Sequence, residues 1–159
     1  QCPLAFCCRA RAQGIQSELP VRAKAKARRV EERTVFIFRD GESAALRKRP
    51  DKGLLAGLYE LPSVEGHLTM EEAVAYSKSI GLVPVRVREL GAARHVFSHV
   101  EWDMIGYLVQ VDELEKSCRE EMLFIHPKRA QERYAIPSAF EKYAGYLEIR
   151  VGSERYRNQ

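Results

Sequence analysis

Four consecutive apolar residues, Val35-Phe36-Ile37-Phe38, constrain the fold more than any other feature of this sequence. They are β-branched or aromatic with no polar alternation, which predicts a strand buried on both faces rather than one with a wet side. A chain with such a strand must supply two apolar layers to cover it. Asp40-Gly41 then signals a tight turn, and Ala44 to Arg49 continues as a partner strand stopped by Pro50, so the unit reads as a hairpin. Gly53, Gly57, Pro62 and Gly66 punctuate residues 51–69 densely enough to predict an ordered loop, with one short strand around Leu58 to Leu61.

Helical signals follow. Thr69 is a fair N-cap with Glu72 three positions later, and Ala73, Val74 and Ile80 keep to one face until Gly81, which predicts a helix from Met70 to Ile80. Val85 to Leu90 alternates as a half-exposed strand does, Trp102 to Val111 reads as a long apolar strand, and His95 to His99 falls in the connection between them. Pro137 stands where a first-turn proline belongs, and Phe140, Tyr143, Ala144 and Leu147 recur at helical spacing. Strands interleaved with two amphipathic helices predict an α/β domain. At 159 residues, 45% hydrophobic and 30% charged, the chain suits one compact domain plus some irregular sequence. No apolar run approaches the roughly 18 residues of a membrane-spanning helix, and the first residues lack a signal-peptide pattern. The expectation is a soluble intracellular protein, in the cytoplasm or nucleoid if bacterial.

The formal charge of +4 is unevenly placed. Residues 1–33 hold eight Lys/Arg and three Glu, a net of +5, and residues 34–159 hold eighteen Lys/Arg and nineteen Asp/Glu, a net of −1. The basicity gathers in Arg22, Lys24, Lys26, Arg28 and Arg29. Such a run attracts phosphates through counterion release, and it serves equally as a solvated connector; the sequence leaves both readings open.

Two distant stretches carry a resemblance. One is Cys2-Pro3-Leu4 followed by Cys8, with Ala10 and Gly14 trailing; the other runs from Leu46-Arg47-Lys48-Arg49-Pro50 through Gly53-Leu54-Leu55-Ala56-Gly57-Leu58-Tyr59-Glu60-Leu61-Pro62 to His95-Val96-Phe97-Ser98-His99. Together they resemble the MutY family of adenine DNA glycosylases, whose carboxy-terminal domain has a Nudix-like fold, a mixed β-sheet packed between α-helices. The resemblance divides the chain into a tail of the iron-sulfur region (1–14), a basic interdomain linker (15–33), a Nudix-like lesion-recognition domain (34–150) and a charged tail (151–159). It also implies that the sequence is part of a longer one, with the glycosylase's catalytic residues upstream of Gln1.

In that family four cysteines spaced C-x6-C-x2-C-x5-C hold a 4Fe-4S cluster, and Cys2 and Cys8 match the last two. Two thiolates cannot supply the four ligands that a cluster normally takes, so this chain is expected to bind none alone. Cys7 has no role in the family pattern, and Cys118 reads most simply as a free cysteine of an intracellular protein. The Phe-Ser-His loop of the family lies against the damaged base, which by resemblance assigns lesion reading to Phe97, Ser98 and His99. The implied partner is double-stranded DNA holding 8-oxoguanine opposite adenine, with a repair or replication protein as a further partner through the linker. Oxidation turns the guanine ring nitrogen at position 7 into a donor and adds a carbonyl acceptor at position 8, and a serine hydroxyl can meet both polarities.

Three other readings come from the residues. His95 and His99 stand four apart, but Val96, Phe97 and Val100 favour extended chain and no third ligand is near, against a metal site. The Nudix-like pattern raises a nucleoside-polyphosphate hydrolase as a rival, since Nudix enzymes hold divalent metal on a helix bearing Arg-Glu-x-x-x-Glu-Glu. The corresponding helix reads Glu71-Glu72-Ala73-Val74-Ala75-Tyr76-Ser77-Lys78-Ser79, with its acids a turn or more too early. They suit a helix start instead. A protein-interaction module, docking through the basic connector, is the third.

Overall fold

The chain's structure, a computed structural model, describes residues 2–21, 27–112 and 122–151. A single helical turn, α1 (Arg9–Ala12), precedes β1 (Arg29–Asp40), β2 (Ser43–Lys48), β3 (Tyr59–Glu60) and β4 (Ser63–Glu65). There follow α2 (Met70–Ser79), β5 (Val83–Val96), β6 (Val100–Asp112), β7 (Leu123–Ile125) and α3 (Pro127–Arg133). A 3-10 turn (Ser138–Phe140) then leads into α4 (Glu141–Gly145). The strands form one mixed sheet in the order β3-β2-β1-β6-β5, with β4 on β1 and β7 on β2. Among the described residues only β1 and β6 run parallel, and every other pair is antiparallel.

The central position of β1 explains its unbroken apolar run. Val35, Phe36, Ile37 and Phe38 are all fully buried. Val35 and Ile37 face a layer built from Trp102, Met104, Phe140, Tyr143, Ala144 and Leu147. Phe36 and Phe38 face the opposite layer, with Ala73, Leu82, Tyr107 and Val109. There the rings of Phe36 and Phe38 stack at 5.1 Å, and Tyr76 of α2 lies 5.0 Å from Phe36.

Between β4 and α2 the chain is pinned by Thr34, a fully buried hydroxyl on β1. It donates to the Gly66 carbonyl at 2.7 Å and accepts from the Leu68 amide at 2.8 Å, while the Tyr107 hydroxyl donates to the Leu68 carbonyl. The predicted capping box is present: the Glu72 amide donates to Thr69 Oγ1, and the Thr69 amide donates to Glu72 Oε2 at 2.8 Å. Gly81, at φ +81°, turns the chain out of the helix, as a left-handed residue past a helix end does. The apolar face is narrower than expected, because Ala73 and Ser77 are its buried residues while Val74 and Ile80 are half-buried.

Four features depart from the sequence reading. The ladder enters the segment expected as linker, since Arg29 to Arg33 already pair with Val100 to Met104. Backbone pairing needs no apolar side chains, so the polar run Arg-Val-Glu-Glu-Arg extends the strand at its half-exposed end. Strand β5 continues to Val96, which puts His95 and Val96 in the sheet opposite Trp102 and Glu101 and leaves Phe97, Ser98 and His99 alone in the turn. Two three-residue strands, β4 and β7, are too short to show a period. Helix α3 was also missed; it starts at Pro127 with the His126 side chain accepting from the Lys128 amide.

Candidate functional site

The tight connection between β5 and β6 is fixed at its base. The Phe97 amide donates to the Val100 carbonyl at 2.8 Å, and the Arg29 amide at the start of β1 donates to the His99 carbonyl. The Phe97 side chain turns inward, edge-on to Trp102 at 4.9 Å and to His95 at 4.7 Å. Trp102 is fully buried and extends this aromatic chain to Phe140 of the C-terminal layer. Ser98 and His99 are left exposed at the tip. Of the three residues expected to read a base, Phe97 is thus half-buried packing and the other two are the accessible polar groups.

Charged groups surround Trp102. Its indole Nε1 donates to Glu31 Oε2 at 3.0 Å, and the Arg33 guanidinium lies 4.4 Å above its ring. Arg33 also pairs with Glu31 at 3.3 Å, and Arg29 pairs with the same carboxylate. Burial raises the Glu31 pKa, but hydrogen bonds from Arg33, Arg29 and Trp102, with the charge of Arg29, outweigh it and hold the group below its ordinary value. On the other side Arg49 stands 5.7 Å from the Trp102 ring and pairs with Glu60, a carboxylate only 2% exposed. Arg47 joins Glu60 at 2.9 Å and donates to the Ser63 carbonyl, and Arg49 Nε donates to the Leu54 carbonyl. These bonds tie the Gly-rich loop to β2 and its end and hold Arg49 against Trp102, beneath the hairpin tip. The Arg-Lys-Arg alternation at the end of β2 and just past it was a signal for Arg47 and Arg49. Glu31 and Trp102 carried none, because their partnership crosses 71 positions of sequence.

The remaining expected residues lie elsewhere. Arg22, Lys24 and Lys26, together with Cys118 and the tail from 152, fall outside the described residues. Arg28 and Arg29 are exposed, and Arg29 is a strand residue engaged with Glu31 rather than a linker residue. Cys2 is exposed and Cys8 half-buried at the start of α1. Among the described residues no three His, Cys, Asp or Glu side chains gather as a metal site. The two cysteines matched to the cluster motif are half a ligand set. On α2, Glu72 is taken by the capping box, and the buried Ser77 donates to the Ala73 carbonyl.

A mixed sheet between helical layers, with a loop-helix unit after its central hairpin, is a Nudix-like architecture. The chain belongs to the NUDIX domain family, matched over residues 34–145. It is also similar to the adenine DNA glycosylase of Mus musculus, 35% identical over 83 residues, which are 48% of this chain and 16% of that protein. The chain thus spans about a sixth of that relative's length. Two solved structures share the fold. The C-terminal domain of mouse MUTYH, in complex with human PCNA, gives a TM-score of 0.58 at 20% identity, covering 74% of this chain and 86% of that one. The MutT protein of Methanosarcina mazei gives 0.55 at 12%, covering 77% and 96%. The expected fold class and the expected resemblance therefore both stand.

Proposed function

We propose that this domain reads 8-oxoguanine opposite adenine on behalf of an adenine DNA glycosylase in base excision repair. The observation that carries the reading is the hairpin tip, where exposed Ser98 and His99 stand on a base locked by Phe97 against Trp102. Ser98 can accept from the lesion's N7–H while donating to a neighbouring acceptor, and His99 would supply a contact to sugar or phosphate. The adenine would be flipped from the duplex and excised in the catalytic domain of the longer enzyme. In such an enzyme Cys2 and Cys8 would supply two thiolates of a 4Fe-4S cluster, and the basic run at 22–29 would meet backbone phosphates. Docking of a repair or replication protein through that run is a further proposal. A DNA ligand agrees with an intracellular location.

The reading is tested by Ser98→Ala in the glycosylase that carries this domain. Preference for an 8-oxoguanine:adenine over a guanine:adenine duplex should fall roughly five- to a hundredfold, about 1–3 kcal/mol. An unchanged preference would remove Ser98 from the role. The rival, nucleotide pyrophosphohydrolysis, is disfavoured because α2 turns Tyr76, Ser77, Lys78 and Ser79 where metal-holding carboxylates are needed. Magnesium-dependent release of phosphate or pyrophosphate from 8-oxo-dGTP would reinstate it.

A further inference from the structure

Far from the hairpin tip, three arginines converge, with no acid among the described residues that line the space between them. Arg39 ends β1, Arg86 and Arg88 lie two apart on β5, and with Leu108 and Gln110 of β6 they line a cavity of about 160 Å³. The ladder brings them together, since Arg39 and Arg86 both stand opposite Gln110 and Arg88 stands opposite Leu108. Arg39 is half-buried, its Nε is sealed from solvent without a partner, and no acceptor among the described residues takes its hydrogens. Glu42, Glu132 and Glu148 line a second cavity that Arg39 also borders, yet none forms an ion pair with it.

A partly desolvated guanidinium without a counterion is an unfavourable arrangement unless an anion completes it. Exposed arginines on an edge strand are commonly a guard against strand pairing, and this accounts for Arg86 and Arg88. It does not account for Arg39, which is on a central strand. The volume is the share of liquid taken by about five waters, room for one tetrahedral oxyanion but well short of the roughly 300 Å³ at which drug-sized ligand pockets begin. Guanidinium forks match phosphate oxygens in pairs.

We propose that Arg39, Arg86 and Arg88 form a phosphate-binding site, separate from the hairpin tip. Arg39 lies ten residues along β1 from Arg29, which holds the tip, a strand length of about 33 Å. The phosphate comes either free or as a backbone phosphodiester of DNA. Because the residues differ from those of the tip, failure of either assignment leaves the other intact.

The test is NMR of the whole 159-residue chain, following the Arg39 Nε–H signal while sodium phosphate replaces sodium chloride at constant ionic strength. The sealed position of that hydrogen slows its exchange with water and makes it a usable probe. The expected result is a saturating shift, weakened about tenfold or more by R86Q/R88Q and unchanged by the charge-matched R9Q/R11Q. A shift that grows linearly without saturating, or equal weakening in both variants, overturns the site. A second arm uses an undamaged DNA duplex. Arg39 shifts that free phosphate competes away identify the phosphodiester as the source, and absence of duplex shifts with saturation by phosphate identifies the free anion.

Discussion

Glu31 joins three groups that the hairpin tip depends on: the Trp102 indole, the Arg33 guanidinium above it, and Arg29, whose amide holds His99. Its folded pKa is below the ordinary 4.5, so its contribution to stability is fully present above about pH 4.5 and is lost as pH falls through the folded value. The difference in denaturation midpoint between wild type and Glu31→Gln should therefore stay constant near neutrality and shrink under acid. A difference that grows as pH falls below 4.5 would contradict the sign. The serine at the tip was legible in the sequence, but its support was not. Nothing local marks Phe97 as an anchor rather than a base contact; only the ladder that sets His95 opposite Trp102 shows which way the ring turns.

Among the elements, α2 shows how far local chemistry reaches. Its start was legible because a capping box is a four-residue signal whose partners are neighbours, and both of its hydrogen bonds form. Thr69→Ala removes the acceptor for the Glu72 amide and should cost about 1 kcal/mol, read as a lowered urea midpoint. No change would mean that the Gly66 and Leu68 bonds to Thr34 hold the helix start without its cap. The strand ends were less legible for the opposite reason. Arg29 to Arg33 pair through backbone groups that every residue type carries, and β4 and β7 span three residues each, too few for alternation to register.

At the scale of the whole molecule, two apolar layers sandwich one sheet, and the closeness of the C-terminal layer is set at Gly106. A Cβ there would lie 2.9 Å from Cδ1 of Tyr143 and closer still to Cε1, while the Tyr143 hydroxyl, its pKa pushed up by burial, donates to the Met104 carbonyl. Gly106→Ala must push α4 off the sheet and should cost about 1–3 kcal/mol or more by denaturant unfolding; a neutral result would show that the layer yields freely. The double burial of β1 foretold this architecture, whereas the parallel pairing of β1 with β6 had no local signal. That pairing brings the β5–β6 turn to the start of β1 and sets Ser98 and His99 at one end of the sheet. The most direct test of this placement is chemical-shift mapping of the whole chain with duplexes that differ only in guanine or 8-oxoguanine opposite adenine. The account predicts lesion-dependent perturbation centred on Phe97, Ser98 and His99. Perturbation identical for the two duplexes, or centred elsewhere on the sheet, would contradict it.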